Sequence, residues 1–592
     1  MRTASRRPDW RRIGVFALMA LALWIPRGLA LDRFVTPDEP KWLARSGNFY
    51  LALVTGHLAG TFTREHPGVT VTWIGTLGLL WRFPGYPQAA PGRLTDSRQI
   101  EPVIREQGFD PVEVLKASRV MMVAFITGLL ILAFWQMSRL VGLGPALVGL
   151  ALLAFDPFHI GLTRLLHLDG LVSSLMLVSL LAFLSFLYRG MRFFDLLISA
   201  VAAGLGWLTK SPAFFLAPFV ALLGLIEVMR LAFAQHGLRM TDLWQTAKSL
   251  VVWGLLGWLV FFLIWPAMWV DPLRTVERVF SEAETYAAEG HTTETYFLGQ
   301  AITGDPGRRF YPLTYLWRAT PVGILGLALG GIAITAAGYV GIKSVRSRWK
   351  MGIDKLTGTE NLPARVSSSA VLTDRAAFWT ALALGLFAAL FTLFMTLGSK
   401  KFDRYLLPVF APLDLLAGIG LWSGASWLAG RSGRRYYQYL LLGILGVAVV
   451  LQAALALQTY PYYLSYYNPL LGGGERAPEV MMIGWGEGLD QAARYLNAKP
   501  QARELKVMAW YPDGVFSYFF AGQTVHAEPE WEQTEALLRQ SDYVVTYIHQ
   551  WQRGLPFPEM LELLAQQVPE HTISLNGIEY VRIYDISRLE GQ

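Results

Sequence analysis

Apolar stretches of roughly twenty residues recur along the first three quarters of the chain and then stop. They fall at 13–31, 118–137, 143–160, 170–188, 194–209, 212–229, 250–265, 320–342, 376–397, 404–422 and 439–457. About twenty apolar residues in a helix cross a hydrocarbon core of ~30 Å, so the pattern predicts about eleven membrane-spanning helices. A further run at 68–81 is short and interrupted; it reads as an interfacial or re-entrant helix. Beyond 457 the hydropathy collapses. Helical patterns at 489–496 and 531–538 there alternate with strand-like segments at 505–510, 543–548 and 580–584. The predicted fold class is therefore mainly α: a polytopic helical membrane domain over 1–459, with a small soluble α/β domain over 460–592.

Basic residues orient the spans. Arg2, Arg6, Arg7, Arg11 and Arg12 precede the first run, and alternate later loops hold Arg189 and Arg192, then Arg230, Arg239 and Lys248, then the Lys343–Arg375 group, then Arg431, Arg434 and Arg435. By the positive-inside rule these loops are cytoplasmic. Loops 32–117 and 266–319 and the C-terminal domain are then expected outside an inner, plasma-type membrane. A twelfth span at 68–81 would turn the later basic loops outward. The first run resembles a secretory signal only superficially, because Pro26 and Arg27 interrupt it before any small-residue cleavage site.

Composition fits this picture. Of 592 residues, 53% are hydrophobic and only 16% charged, against about 25% charged in soluble domains. The absence of cysteine excludes disulfides, thiolate metal sites and cysteine nucleophiles. The net charge of +7 is accounted for by membrane orientation, so no nucleic-acid partner is expected.

The predicted topology gathers ionisable residues from four loops near span ends on the outer face. They are Asp38 and Glu39; Arg64, Glu65 and His66; Arg164, His167 and Asp169; Lys210; and Lys400, Lys401, Asp403 and Arg404. Charge near a membrane is costly, so such a cluster marks a functional site. Carboxylates mixed with Arg and Lys suit a ligand with an anionic head and a proton to be removed, as a phosphate at a lipid–water boundary has. Taken singly, each residue also fits a snorkelling span end.

The motifs Thr36-Pro37-Asp38-Glu39-Pro40, Glu65-His66-Pro67, Arg164 to Asp169, Leu208-Thr209-Lys210 and Lys401-Phe402-Asp403-Arg404-Tyr405-Leu406-Leu407-Pro408 together resemble the type C glycosyltransferases of the protein O-mannosyltransferase and lipid A aminoarabinose transferase superfamily. The resemblance implies transfer of a sugar from a polyprenyl-phosphate carrier to an acceptor, usually with inversion. It makes Asp38 the general base, with Glu39 second. Arg164, Lys210, Lys400, Lys401 and Arg404 are candidates for binding the donor phosphate. Arg64, His66, Asp169 and Asp403 are candidates for acceptor contact or support. Other roles are open: Asp38 suits a helix N-cap, Asp169 suits a loop salt bridge, and His66 before Pro67 suits a turn. The expected partners are the lipid-linked donor, a protein, lipid or glycan acceptor, and the bilayer. A transporter or flippase for a lipid-linked sugar is the alternative; it predicts ionisable residues near the midplane, where Asp414 is the main example.

Three other constellations are read structurally. Glu282, Glu284, Glu289, His291 and Glu294 match no strong ligand spacing and read as a solvated acidic helix, so neither cofactor nor metal is expected. Met481 to Leu489 resembles a strand, glycine turn and helix, but Glu487 and Asp490 put negative charge where a pyrophosphate would sit, which leaves a tight turn. Tyr460 to Tyr467 reads as an interfacial belt, and the polar 352–369 stretch as a mobile linker.

Overall fold

The computed structural model describes residues 10–63, 67–235, 237–357 and 371–586. Eight helices among them are long and apolar enough to cross a membrane: Pro111–Val141, Leu168–Tyr188, Ser211–Ala234, Met240–Ile264, Pro321–Val340, Arg375–Leu397, Asp403–Ser432 and Tyr437–Gln458. The other three expected spans are helical but irregular. Trp10–Gly28 contains Pro26 and Arg27, and Phe193–Thr209 has 17 residues. The 143–160 run is a bent pair, Leu143–Ala154 and Pro157–Thr163, with 68° between the halves.

That bend is encoded locally. Asp156 accepts a hydrogen bond from His159 N at 2.6 Å, and Pro157 occupies the first helical turn, so a new helix begins there. The carbonyls orphaned by the break are met by Arg27. Its guanidinium donates to Leu153 O and Ala154 O at 3.1 Å each, and to Thr163 Oγ1 at 2.9 Å. Broken backbone in a membrane bundle needs such replacement donors.

Helix Leu168–Tyr188 is buried along nearly its whole length, whereas Met240–Ile264 and Tyr437–Gln458 expose Leu255, Leu259, Leu263, Leu442, Val447 and Val450. Those outer helices present the apolar faces expected toward lipid. Helix Leu407–Ala429 packs on Leu143–Ala154 so closely that a Cβ on Gly418 would lie 2.2 Å from Gly149 N; small residues allow this backbone approach. The 68–81 run forms helix Val69–Arg82, which packs against Glu39–Val54 and Pro111–Val141. The 352–369 stretch continues a helix to Thr357 and then lies outside the described residues.

The C-terminal part holds a five-stranded sheet of β3 (Lys506–Ala509), β4 (Gln523–Val525), β5 (Tyr543–Tyr547), β6 (His571–Leu575) and β7 (Ile578–Asp585), in the order β4-β3-β5-β7-β6. The first three strands are parallel and the last two pair antiparallel. Successive residues alternate faces: Val544 packs with Leu538 and Leu564, and Val545 packs into the main core. Strands β4 and β6 were not legible as strands, although Asn576-Gly577, both at positive φ, marks the β6–β7 turn. The acidic loop stretch is helical only from Pro272 to Ala288; it then forms a hairpin of β1 (His291–Phe297) and β2 (Gln300–Gly304).

The tyrosines at 460–467 do not form an outward belt. Tyr462, Tyr463, Tyr466 and Tyr467 are buried, and the Tyr462 hydroxyl donates to Asp490 at 2.8 Å, tying the last span to the C-terminal part.

Candidate active site

The Asp38-Glu39 pair splits into two environments. Glu39 is fully buried: Arg119 donates to it at 2.7 and 2.5 Å, and the main-chain N–H groups of Thr36 and Leu166 each donate at 3.0 Å. Burial pushes its carboxyl up, but Arg119 and these donors outweigh that and hold it below the usual range. Glu39 therefore staples the first loop to the 164–167 turn and has no access to a substrate.

Its neighbour faces outward from that staple. Asp38 precedes helix Glu39–Val54 but makes no side-chain cap, because its backbone is already helical at φ −92°, ψ −23°. Its carboxylate lies 3.2 Å from Lys41 Nζ and 3.6 Å from both His167 Nε2 and Arg404 Nη2. Burial raises its pKa, yet His167, Arg404 and Lys41 together hold it well below the ordinary carboxylate value.

Behind Asp38 stands a second carboxylate. Asp169 receives Lys210 Nζ at 2.7 Å, with His167 Nδ1 at 3.2 Å and Arg404 Nε at 3.5 Å. His167 thus stands between Asp38 and Asp169. Burial lowers its pKa, but the two carboxylates outweigh burial and raise it above the ordinary value. Like His167, Arg404 lies near both carboxylates. Its contacts of 3.5–3.6 Å are too long to spend its hydrogen-bonding capacity, while Phe402 at 4.2 Å and Trp485 at 4.5 Å hold the guanidinium plane by cation–π contact.

These groups border a cavity of about 350 Å³ between the membrane bundle and the C-terminal part. Its floor carries Pro37, Asp38, Lys41, Phe158, Leu162, Arg318, Asp403 and Arg404; β1 lends His291, Thr293, Glu294 and Thr295; the roof is Met482, Gly484, Trp485, Glu487, Tyr511, His549 and Arg553. The floor and roof meet at a glycine turn. Gly484 and Gly486 have φ of +90° and +111°, and a Cβ on Gly486 would lie 2.2 Å from Val35 O, in the loop that carries Asp38. The expected strand before this turn reduces to a single bridge between Met481 and Phe297.

Of the residues expected from sequence, Asp38, Asp403 and Arg404 line the cavity. Asp169 and Lys210 stand behind them as an ion pair. Asp403 is held by Arg318 at 2.7 Å. Arg164 is turned away, donating to the carbonyls of Leu29, Ala30 and Pro461; it closes the loop after the first span instead of facing the cavity. Lys401 is buried with its Nζ on Asp305 at 2.5 Å and Gly398 O at 2.6 Å, and Lys400 does not line the cavity. Arg64 and His66 lie outside the described residues. His291, weighed for metal, instead bonds the Lys401 main chain, and among the described residues no group of three His, Asp or Glu side chains is placed to hold a metal ion.

Sequence reasoning missed Lys41, Arg318, Tyr511, His549 and Arg553, and took Trp485 only as part of a turn. Lys41 was detectable as the first cation one helical turn after Asp38. The roof residues carry no spacing signal, since only the seating of the C-terminal part brings them to the floor.

No protein-family model matches the chain, and no curated sequence does. Among solved structures, the chain is similar to ArnT from Cupriavidus metallidurans bound to undecaprenyl phosphate, at 15% identity and a TM-score of 0.45, over 97% of this chain and 98% of that one. It is also similar to the Pmt1–Pmt2 protein O-mannosyltransferase complex of S. cerevisiae bound to the sugar donor, at 11% identity and a TM-score of 0.47, over 77% and 90%. A third is the archaeal oligosaccharyltransferase AglB from Archaeoglobus fulgidus in complex with an inhibitory peptide and a dolichol-phosphate, at 11% and 0.43, over 97% and 74%.

Proposed function

We propose that this chain transfers a sugar from a polyprenyl-phosphate carrier to an acceptor hydroxyl on the extracytoplasmic face of the membrane, with inversion. The observation that carries the reading is the meeting of Asp38 and Arg404, from loops at opposite ends of the membrane domain, at 3.6 Å on one cavity wall. In the proposed step the acceptor oxygen attacks the anomeric carbon while its proton passes to the Asp38 carboxylate. The bond from that carbon to the phosphate oxygen breaks, and the phosphate leaves with the electron pair, its charge met by Arg404 and Lys41. Phe158, Leu162 and Leu464 give the floor an apolar side suited to the first lipid carbons.

Asp38 is ionised throughout the neutral range, which makes it a weak base always in the correct state. Its contribution comes from position and from accepting the proton as the new bond forms. The test is transfer by purified protein in nanodiscs from a panel of radiolabelled polyprenyl-phosphate sugars to a membrane-extract acceptor pool. Asp38→Asn should lower the rate by about a hundredfold or more while donor binding persists. Normal transfer by that variant rejects the base assignment. Transport of a lipid-linked sugar without transfer would favour a flippase.

A further inference from the structure

The charges of the cavity are unevenly satisfied. Lys41, Arg318 and Arg404 each have a carboxylate within 4 Å. Arg553, on the roof, has none among the described residues. Its Nη1 donates to Glu294 O at 2.9 Å and its Nε to His549 O at 3.2 Å, and Nη2 makes no hydrogen bond to any described residue. Two main-chain carbonyls fix the guanidinium plane of a residue that lines the cavity. A half-buried cation without an ion-pair partner is costly; burial lowers its pKa by more than Tyr511 and Glu294 together raise it.

Beside it sits Tyr511, whose φ of +54° is a strained setting for a bulky residue. Such strain persists where the surroundings enforce it and clusters at ligand sites. The Tyr511 ring packs edge-on to His549 at 5.3 Å, and Trp485, which lies under the Arg404 guanidinium, lines the same cavity.

From this we infer that Arg553 is a specificity-determining residue that receives a carboxylate on the transferred sugar, so that the preferred donor is a polyprenyl-phosphate uronic acid. The inference rests on the glycosyltransferase reading above, in which Arg404 and Lys41 take the carrier phosphate. A single guanidinium nitrogen left without a hydrogen bond to a described residue suits one negative charge and not a second phosphate. Tyr511 and Trp485 offer the flat faces on which a sugar ring packs.

The experiment measures direct binding, by purified full-length protein in detergent, of a short-chain polyprenyl-phosphate glucuronate and its glucose counterpart, with transfer measured in parallel. The parent should prefer the glucuronate by about tenfold or more, and the ratio of the two dissociation constants should approach one in Arg553→Gln while Arg553→Lys recovers part of it. Thermal unfolding of each variant controls for folding. Equal binding of both lipids by the parent, or a preference unchanged in Arg553→Gln, overturns the inference. So does an Arg553 effect confined to the acceptor's KM. An Arg553-dependent preference in binding with no transfer from either lipid keeps the subsite and removes the transferase reading, whereas transfer from the neutral donor alone does the reverse.

Discussion

Floor and roof of the cavity treat charge in opposite ways. At the floor and just behind it, burial is the largest influence on Asp38 and on His167, yet opposite charges outweigh it: the carboxyl is held down and the imidazole is held up, each toward its charged form. On the roof nothing outweighs it. Burial raises Glu487, which bonds Trp485 N and the Tyr547 hydroxyl, and pushes His549 well down, where it accepts a hydrogen bond from Trp510 Nε1. Charged groups set against one another suit bond-making and a phosphate leaving group. Groups shifted by burial around one arginine that has no ion-pair partner among the described residues suit recognition.

The comparison breaks most severely at the Glu39 staple. Arg119→Met would leave Glu39 buried without its counter-ion and should cost about 3–5 kcal/mol, read as a lower unfolding midpoint in detergent. A midpoint unchanged from the parent would mean that the staple does not hold the floor. Arg404→Ala should keep the fold but slow transfer by about 10²–10³, the scale of losing one preorganised donor to developing negative charge. A loss no larger than that of Lys400→Ala would place the phosphate elsewhere.

The seam between floor and roof is sharpened by Gly486→Ala. The added Cβ would press on Val35 O, in a backbone setting that suits glycine, at a cost of about 1–3 kcal/mol. Faster hydrogen exchange at 484–490 together with reduced donor discrimination is expected, and unchanged exchange would show that the turn does not seat the roof. The smallest effect concerns His167. Because its pKa is raised, its imidazolium stabilises the fold fully below about pH 6.5, the ordinary value, and that stability is lost as pH rises through the higher folded value. The unfolding midpoint of the parent should fall over that interval and that of His167→Gln should not; matching slopes would remove His167 from the network.

What the sequence alone determined is the part of this protein controlled by solvent. Lipid demands long apolar helices, and each of the eleven runs is helical; the C-terminal patterns likewise produced helices and strands at 489–496, 505–510, 531–538, 543–548 and 580–584. The first-loop carboxylates and the Lys401-to-Pro408 motif were visible as charges at span ends. Tertiary structure alone decided what each charge does. Asp38 and Glu39 are adjacent and chemically alike, but Arg119 claims one, while the other borders the cavity. Arg164 and Lys401 looked like ligands for a phosphate until backbone carbonyls and Asp305 were found to hold them. Arg553, Tyr511 and Trp485 lie more than seventy residues beyond the Lys401-to-Pro408 motif and join the site only because Gly484 and Gly486 let the C-terminal part rest on the first loop. Periodicity records the environment a segment must face; the partner of a buried charge is a matter of distance, and distance across the fold leaves no mark in local sequence.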